Sequence, residues 1–142
     1  VHLDIGKNTK PGAFSITSIN VRSESKAQEV RECGRGILRE MSHMPGFISA
    51  LTAKAGMEMF TMTAWEDPEI QKQSMQGGAH KKAMVGFFGP DFSSGGMTSV
   101  LVPDRIQAAL IQCQYCDEMA AHPGGGGKCR CGQTLPEQTP YW

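Results

Sequence analysis

Four of the chain's five cysteines fall in its last 30 residues, as Cys113-x-x-Cys116, twelve intervening residues, and then Cys129-x-Cys131-Gly132. A CxxC turn sets two thiolates on one side of a metal ion, and a second pair can close the tetrahedron. Four sulfurs at about 2.3 Å suit Zn2+, and a site with all four positions filled by protein is structural rather than catalytic. Cys113, Cys116, Cys129 and Cys131 are therefore the expected ligands of a structural zinc. Cys129-x-Cys131 is shorter than the usual knuckle, so His122 stands as the alternative to one thiolate. Metal binding of this kind supplies on the order of 10 kcal/mol to a segment that cannot fold alone. The other chemistries open to this pattern are an iron–sulfur or rubredoxin-like iron site, a redox CxxC, and disulfides, which a reducing compartment disfavours.

Three residues outside the cysteine cluster could act on a small molecule. His80 shares helical spacing with Ala83, Met84 and Phe87 and is expected to face inward. A lone histidine on an apolar face is more often a satisfied core residue than a catalyst, so both roles stay open. Trp65 closes an apolar strand just before a helix start and is expected to plug that junction. Asn20 lies in a strand of branched residues, where a buried amide needs partners and a pocket is one way to provide them. The plainer reading of Asn20 is an edge-facing side chain bonded to solvent. Cys33, beside the apolar stripe of a helix, reads as a small buried hydrophobe, and Lys81 and Lys82 as a solvated face.

The elements that must position these residues follow from periodicity. Phe14 to Arg22 is rich in β-branched residues and short enough for a strand. Ser25 and Gln28 have the spacing of a capping box, and Ala27, Val30, Gly34, Ile37, Leu38 and Met41 then form one helical stripe, stopped at Pro45-Gly46. Phe47 to Lys54 and Met57 to Trp65 are the next strands, joined through Ala55-Gly56. The second of these is apolar on both faces and belongs at the centre of the sheet. Asp67-Pro68 opens a helix as N-cap and first residue, which is interrupted at Gly77-Gly78, resumes to Phe88 and ends at Gly89-Pro90. A polar loop precedes a last strand, Met97 to Val102.

Strand, helix, strand, strand, helix, strand is the ferredoxin-like βαββαβ order of an α+β fold. Helices cover one face of such a sheet. The other face would expose either the Met57/Met59/Trp65 side or the Phe60/Met62 side, and a bare apolar face implies a partner, most simply a homodimer joined sheet to sheet. Residues 1–13 read as an N-terminal arm, 14–108 as the ferredoxin-like domain, and 109–142 as a small zinc-ribbon-like extension.

At 142 residues and 15.4 kDa the chain fits one domain plus a small appendage. Its 14 Lys and Arg balance 14 Asp and Glu, which argues against nucleic acid as the main partner, because phosphate binding draws on a basic excess. No apolar run reaches the roughly 18–20 residues that cross a bilayer, and none has the form of a signal-peptide core. A cytoplasmic protein without a membrane partner is expected, with reduced cysteines.

The segments MPGFISALTAKAG, MEMFTMTAWEDPEIQKQSMQGGAHKKAM and TSVLV resemble the antibiotic biosynthesis monooxygenase superfamily of dimeric α/β barrels, over about residues 14–102. The resemblance rests on Pro45-Gly46-Phe47, on Trp65 with the acidic helix start after it, and on His80 followed by Lys-Lys-Ala. It implies a homodimer and a monooxygenase-like oxidoreductase acting with O2 on a small aromatic or apolar substrate, without a tightly bound organic cofactor. In that chemistry the substrate is its own electron donor, and His80, Trp65 and Asn20 are the candidate catalytic residues. The superfamily also holds heme-degrading proteins, which combine a first-strand Asn with a helical Trp and His. Asn20 fits loosely, the helical Trp is absent and His80 comes early, so heme is not the favoured cofactor. A third expectation, from another class, is a non-catalytic ligand-binding or assembly module whose zinc tail docks a partner or clasps a dimer.

Overall fold

The branched segment forms a strand as expected, β2 (Ala13–Val21), but a shorter one precedes it, β1 (His2–Asp4), in the stretch read as an arm. The computed structural model describes residues 2–5, 7, 9–76, 78–122 and 126–136, in two compact units that meet in sequence between Pro103 and Asp104. In the first unit, β1 pairs with β3 (Phe47–Ala55), β3 with β4 (Glu58–Trp65), β4 with β2, and β2 with β5 (Ser93–Leu101). All pairs are antiparallel and the order is β1-β3-β4-β2-β5, which puts β4 at the centre. One helix, α1 (Glu24–Met41), lies between β2 and β3 in sequence; the other is split into α2 (Pro68–Met75) and α3 (Gly78–Phe87). Helix α2 closes at Gln76 and α3 begins at Gly78, beside the expected interruption; Gly77 lies outside the described residues.

Helix α1 starts two residues before the expected capping box. Ser23 is the N-cap, with extended backbone and a side chain that accepts from the Lys26 N–H at 3.2 Å. Ser25 is already helical, and Gln28 turns outward to donate to Glu32 at 2.9 Å. Helix α2 begins as read: Asp67 accepts from the Glu69 and Ile70 N–H groups, and Pro68 takes the first turn, where its missing N–H costs nothing.

Strand β5 begins at Ser93, four residues before the expected Met97, because β2 supplies partners for Gly95 and Gly96, read from sequence as loop. Glycine fits there for a packing reason. A Cβ on Gly96 would strike the Phe88 ring and lie 2.5 Å from the Ser18 carbonyl oxygen. The ladder also breaks register between Asn20 and Val21.

The apolar stripe of α1 packs on the sheet in two clusters. One is Ala13, Met41, Phe47, Ala50 and Trp65, with the Phe47 and Trp65 rings edge to face at 5.3 Å. The other is Ile19, Val21, Ala27 and Met59, joined by Val30 and Phe87. The opposite sheet face is the Phe60/Met62 side. Its register rows run Leu51–Met62–Ile16–Ser99 and Ala53–Phe60–Ser18–Met97. On this face Leu51, Met62, Met97 and Leu101 are exposed.

The second unit is a hairpin of β6 (Ala109–Gln112) and β7 (Met119–His122) followed by an isolated bridge between Lys128 and Thr134. Its buried centre is Cys113, Cys129 and Leu135, with Ala120 packed on it.

Candidate functional site

A cavity of about 330 Å³ lies between the sheet and the helices of the first unit, lined by members of both core clusters. Its floor is polar. Strand alternation turns every second residue toward the helices, and Ser15 and Thr17 on β2, Thr52 on β3, and Thr61 and Thr63 on β4 all line it. Thr52, Thr61 and Thr17 are successive register partners across three strands. Its roof is mostly apolar, with Val30, Ile37, Leu38 and Met41 from α1, Met75 from α2, and Met84 and Phe87 from α3, and it also carries Arg31 and Arg35 of α1. The space therefore suits a ligand with oxygen substituents on one side and hydrocarbon on the other.

His80 enters this cavity from the first turns of α3, one turn before Met84. Both ring nitrogens are buried and neither has a hydrogen-bond partner among the described residues. Burial lowers the pKa of His80 from its ordinary value of 6.5, and a position at a helix N-terminus works in the same direction. At neutral pH the ring is uncharged, with one nitrogen free to accept a proton. A buried polar atom left without a partner costs about 1–3 kcal/mol, so the ring's position is more readily explained by a ligand than by packing.

Trp65 does not line the cavity. It is fully buried beside it, and its indole N–H donates at 2.8 Å to Thr63 Oγ1, which lies 2.6 Å from Ser15 Oγ. Trp65 thus fixes the orientation of a floor hydroxyl and plugs the junction as expected. Asn20 is exposed and outside the lining. Residues 15, 17, 19 and 21 of β2 face the helices, so the intervening Asn20 faces the other way, and the pocket-facing reading of its amide is corrected. Cys33 is also exposed, one position off the α1 stripe, and is not the buried hydrophobe expected. The hydroxyl floor was missed, although Ser15/Thr17 and Thr61/Thr63 at spacing two were its visible signal.

In the second unit the sulfurs of Cys113, Cys116, Cys129 and Cys131 all lie within 4.8 Å of one another. Cys113 and Cys131 Sγ are 3.7 Å apart, and Cys116 and Cys129 Sγ 3.5 Å. A tetrahedron with 2.3 Å metal–sulfur bonds has edges of about 3.8 Å, so four soft donors stand at nearly the spacing a bound metal would impose. The two turns are built alike. In the first, the Asp117 N–H returns to the Cys113 carbonyl and the Cys113 N–H to the Glu118 carbonyl, with Asp117 at φ 60°. In the second, the Gly132 N–H returns to Cys129 and the Cys129 N–H to Gln133, with Gly132 at φ 87°. The left-handed residue comes one position earlier, which lets a single residue separate the two sulfurs. His122 is buried in β7 and outside the four-sulfur group.

The Tyr115 and Cys116 N–H groups, aimed at the Cys113 sulfur, lower its pKa to about 7. At Cys116 the Glu118 N–H acts in the same sense, but the neighbouring thiols outweigh it and push the group up to about 12. Ionisation is favoured at Cys113 and resisted at Cys116 and Cys131, which is the electrostatics of thiols crowded around a point that a cation would neutralise. The four cysteines can bind a metal ion, in the manner of a zinc knuckle.

A helix-roofed antiparallel sheet with a cavity between its layers makes the first unit a ferredoxin-like α+β domain, and solved structures of that shape include oxygenases. The chain superposes with TM-score 0.59 and 14% identity on a Fusobacterium nucleatum protein assigned as a monooxygenase, covering 71% of this chain and 47% of that one. A Deinococcus radiodurans protein assigned as an antibiotic biosynthesis monooxygenase matches with TM-score 0.59 and 9% identity, over 66% of this chain and 94% of that one. SnoaB, a cofactor-independent oxygenase from Streptomyces nogalater, matches with TM-score 0.56 and 9% identity, over 68% and 97%. The chain therefore has the fold of the antibiotic biosynthesis monooxygenases, and spans about half the length of the Fusobacterium protein. No family model and no curated protein matches its sequence.

Proposed function

We propose that the first unit is a monooxygenase that uses O2 on a small oxygenated aromatic compound without a tightly bound organic cofactor. The observation that carries this reading is His80: an uncharged imidazole, buried in a cavity, with neither nitrogen occupied. Such a ring takes the proton of a phenol or enol. The threonine floor holds the oxygens of the resulting anion, and the apolar roof keeps water from it. The anion gives an electron pair to O2, and the peroxide so formed loses water, converting a ring CH2 or phenolic CH to a carbonyl. One oxygen atom ends in the product and one in water, so the substrate supplies all the electrons. The fold shared with SnoaB supports the same chemistry.

The test is oxygen uptake by the purified protein with a panel of anthrones, naphthols and quinols, without added flavin, heme or reductant. Stoichiometric O2 consumption with a carbonyl product is expected; no uptake across the panel would overturn the reading.

The second part of the proposal is a homodimer that buries the Phe60/Met62 face, and a structural Zn2+ on the four cysteines of the tail. Light scattering should give twice the chain mass, and Met62→Lys, at an exposed position facing the partner, should return the monomer mass. No helix among the described residues is long and apolar enough to cross a membrane.

A further inference from the structure

Among the described residues lining the cavity there is no Asp or Glu, but there are three basic side chains: Arg31 and Arg35 on α1 and Lys54 on β3. The whole chain is formally neutral, so this imbalance is local to the cavity. One acid outside the lining, Glu24, is shared by two of the three. Its carboxylate oxygens accept from Lys54 Nζ at 2.8 and 3.0 Å, and Arg31 approaches to 4.0 Å. Arg35 has no hydrogen bond or ion pair among the described residues, although Glu32 lies three positions away on the same helix. Arg35 is an exposed residue on the cavity lining, and its guanidinium is a planar fork of donors suited to a carboxylate.

Between the two arginines is Gly34, which also lines the cavity and whose added Cβ would meet nothing within 4 Å. A glycine inside a helix costs about 1 kcal/mol relative to alanine. Here the missing side chain leaves an opening in the cavity face of α1, flanked by Arg31 and Arg35.

We infer that the ligand of this cavity is an anion: an oxygenated ring compound carrying a carboxylate, which Arg35 holds at the Gly34 opening with Arg31 beside it. This inference rests on the reading of the cavity as the substrate pocket and adds the class of substrate. The rings lie over the threonine floor with the reacting hydroxyl toward His80. The acid group lies at the opening, where partial hydration lowers the cost of burying its charge.

The experiment is isothermal titration of the full chain with 6-hydroxy-2-naphthoate, whose hydroxyl and carboxylate lie at opposite ends of the ring system, and with its methyl ester, which keeps the rings and the hydroxyl and removes the charge. The acid should bind the wild type about tenfold more tightly than the ester, the effect of one charge-assisted pair. Arg35→Gln, at an exposed side chain with no partner to lose, should bring acid and ester to within about twofold while leaving ester affinity unchanged. His80→Ala should keep the acid preference. Equal binding of acid and ester by the wild type would overturn the inference, as would a preference that survives Arg35→Gln. Binding of neither would overturn it together with the pocket reading. An Arg35-dependent preference without oxygen uptake would support the inference and remove the oxygenase reading alone.

Discussion

Replacing His80 by phenylalanine is expected to lower turnover of a phenolic substrate by roughly 10²–10⁴-fold, the usual contribution of a positioned general base. The same change should leave the fold at least as stable. The ring nitrogens have no hydrogen bond to lose, and removing two unpaired buried polar atoms should raise stability by about 1 kcal/mol. Loss of activity with no loss in the urea midpoint is the signature of a functional group kept at some expense to the core. A large destabilisation would show that His80 is a packing residue instead.

The pH dependence follows from the same burial. The folded pKa of His80 lies below the ordinary 6.5, so kcat/KM should rise with pH along a limb whose midpoint is under 6.5 and then level off. The sign for stability is the same. Below 6.5 the unfolded chain binds a proton that the folded chain resists. Stability from this group is therefore complete above 6.5 and is lost as pH falls through the folded pKa. His80→Phe should flatten both profiles over that window.

The order of the elements was legible because it depends on local rules. Asp67-Pro68 starts a helix, and the two-sided apolar run at Met57 to Trp65 belongs in the middle of a sheet; the structure has both. The inward direction of His80 was legible for the same reason, since helical spacing ties it to Met84 and Phe87. What was missed depends on pairing rather than on local preference. Gly95 and Gly96 look like loop until β2 provides partners and Phe88 takes up the space a side chain would need. β1 has three residues and exists through its pairing with the edge of β3. For Asn20 the solvent-facing alternative holds and the pocket-facing one fails, because Ile19 and Val21 on either side are both buried in the core. In a strand two adjacent residues cannot share a face, and that rule was available from sequence alone.

The cysteine cluster leads to the other large effect. Its unit has two four-residue strands and a buried centre of Cys113, Cys129 and Leu135. A two-stranded hairpin with so small a core is not stable alone in water, and a metal bound by the four cysteines would supply folding energy on the order of 10 kcal/mol. Chelation should therefore abolish hydrogen-exchange protection at the N–H groups of Cys113, Asp117, Cys129 and Gly132, all of which donate within the two turns. Native mass spectrometry should give one zinc per chain, absent in Cys116→Ser and retained in His122→Ala, since the group is complete with four sulfurs. Affinity should fall with decreasing pH, because each thiol must lose its proton to bind. Full protection in the metal-free chain would mean that packing alone holds this unit. Loss of zinc from His122→Ala would place the histidine in the coordination shell after all. Gly132→Val separates the backbone requirement from the ligand set: it keeps all four sulfurs but forces a β-branched residue to φ 87°, so zinc affinity should drop with no ligand removed.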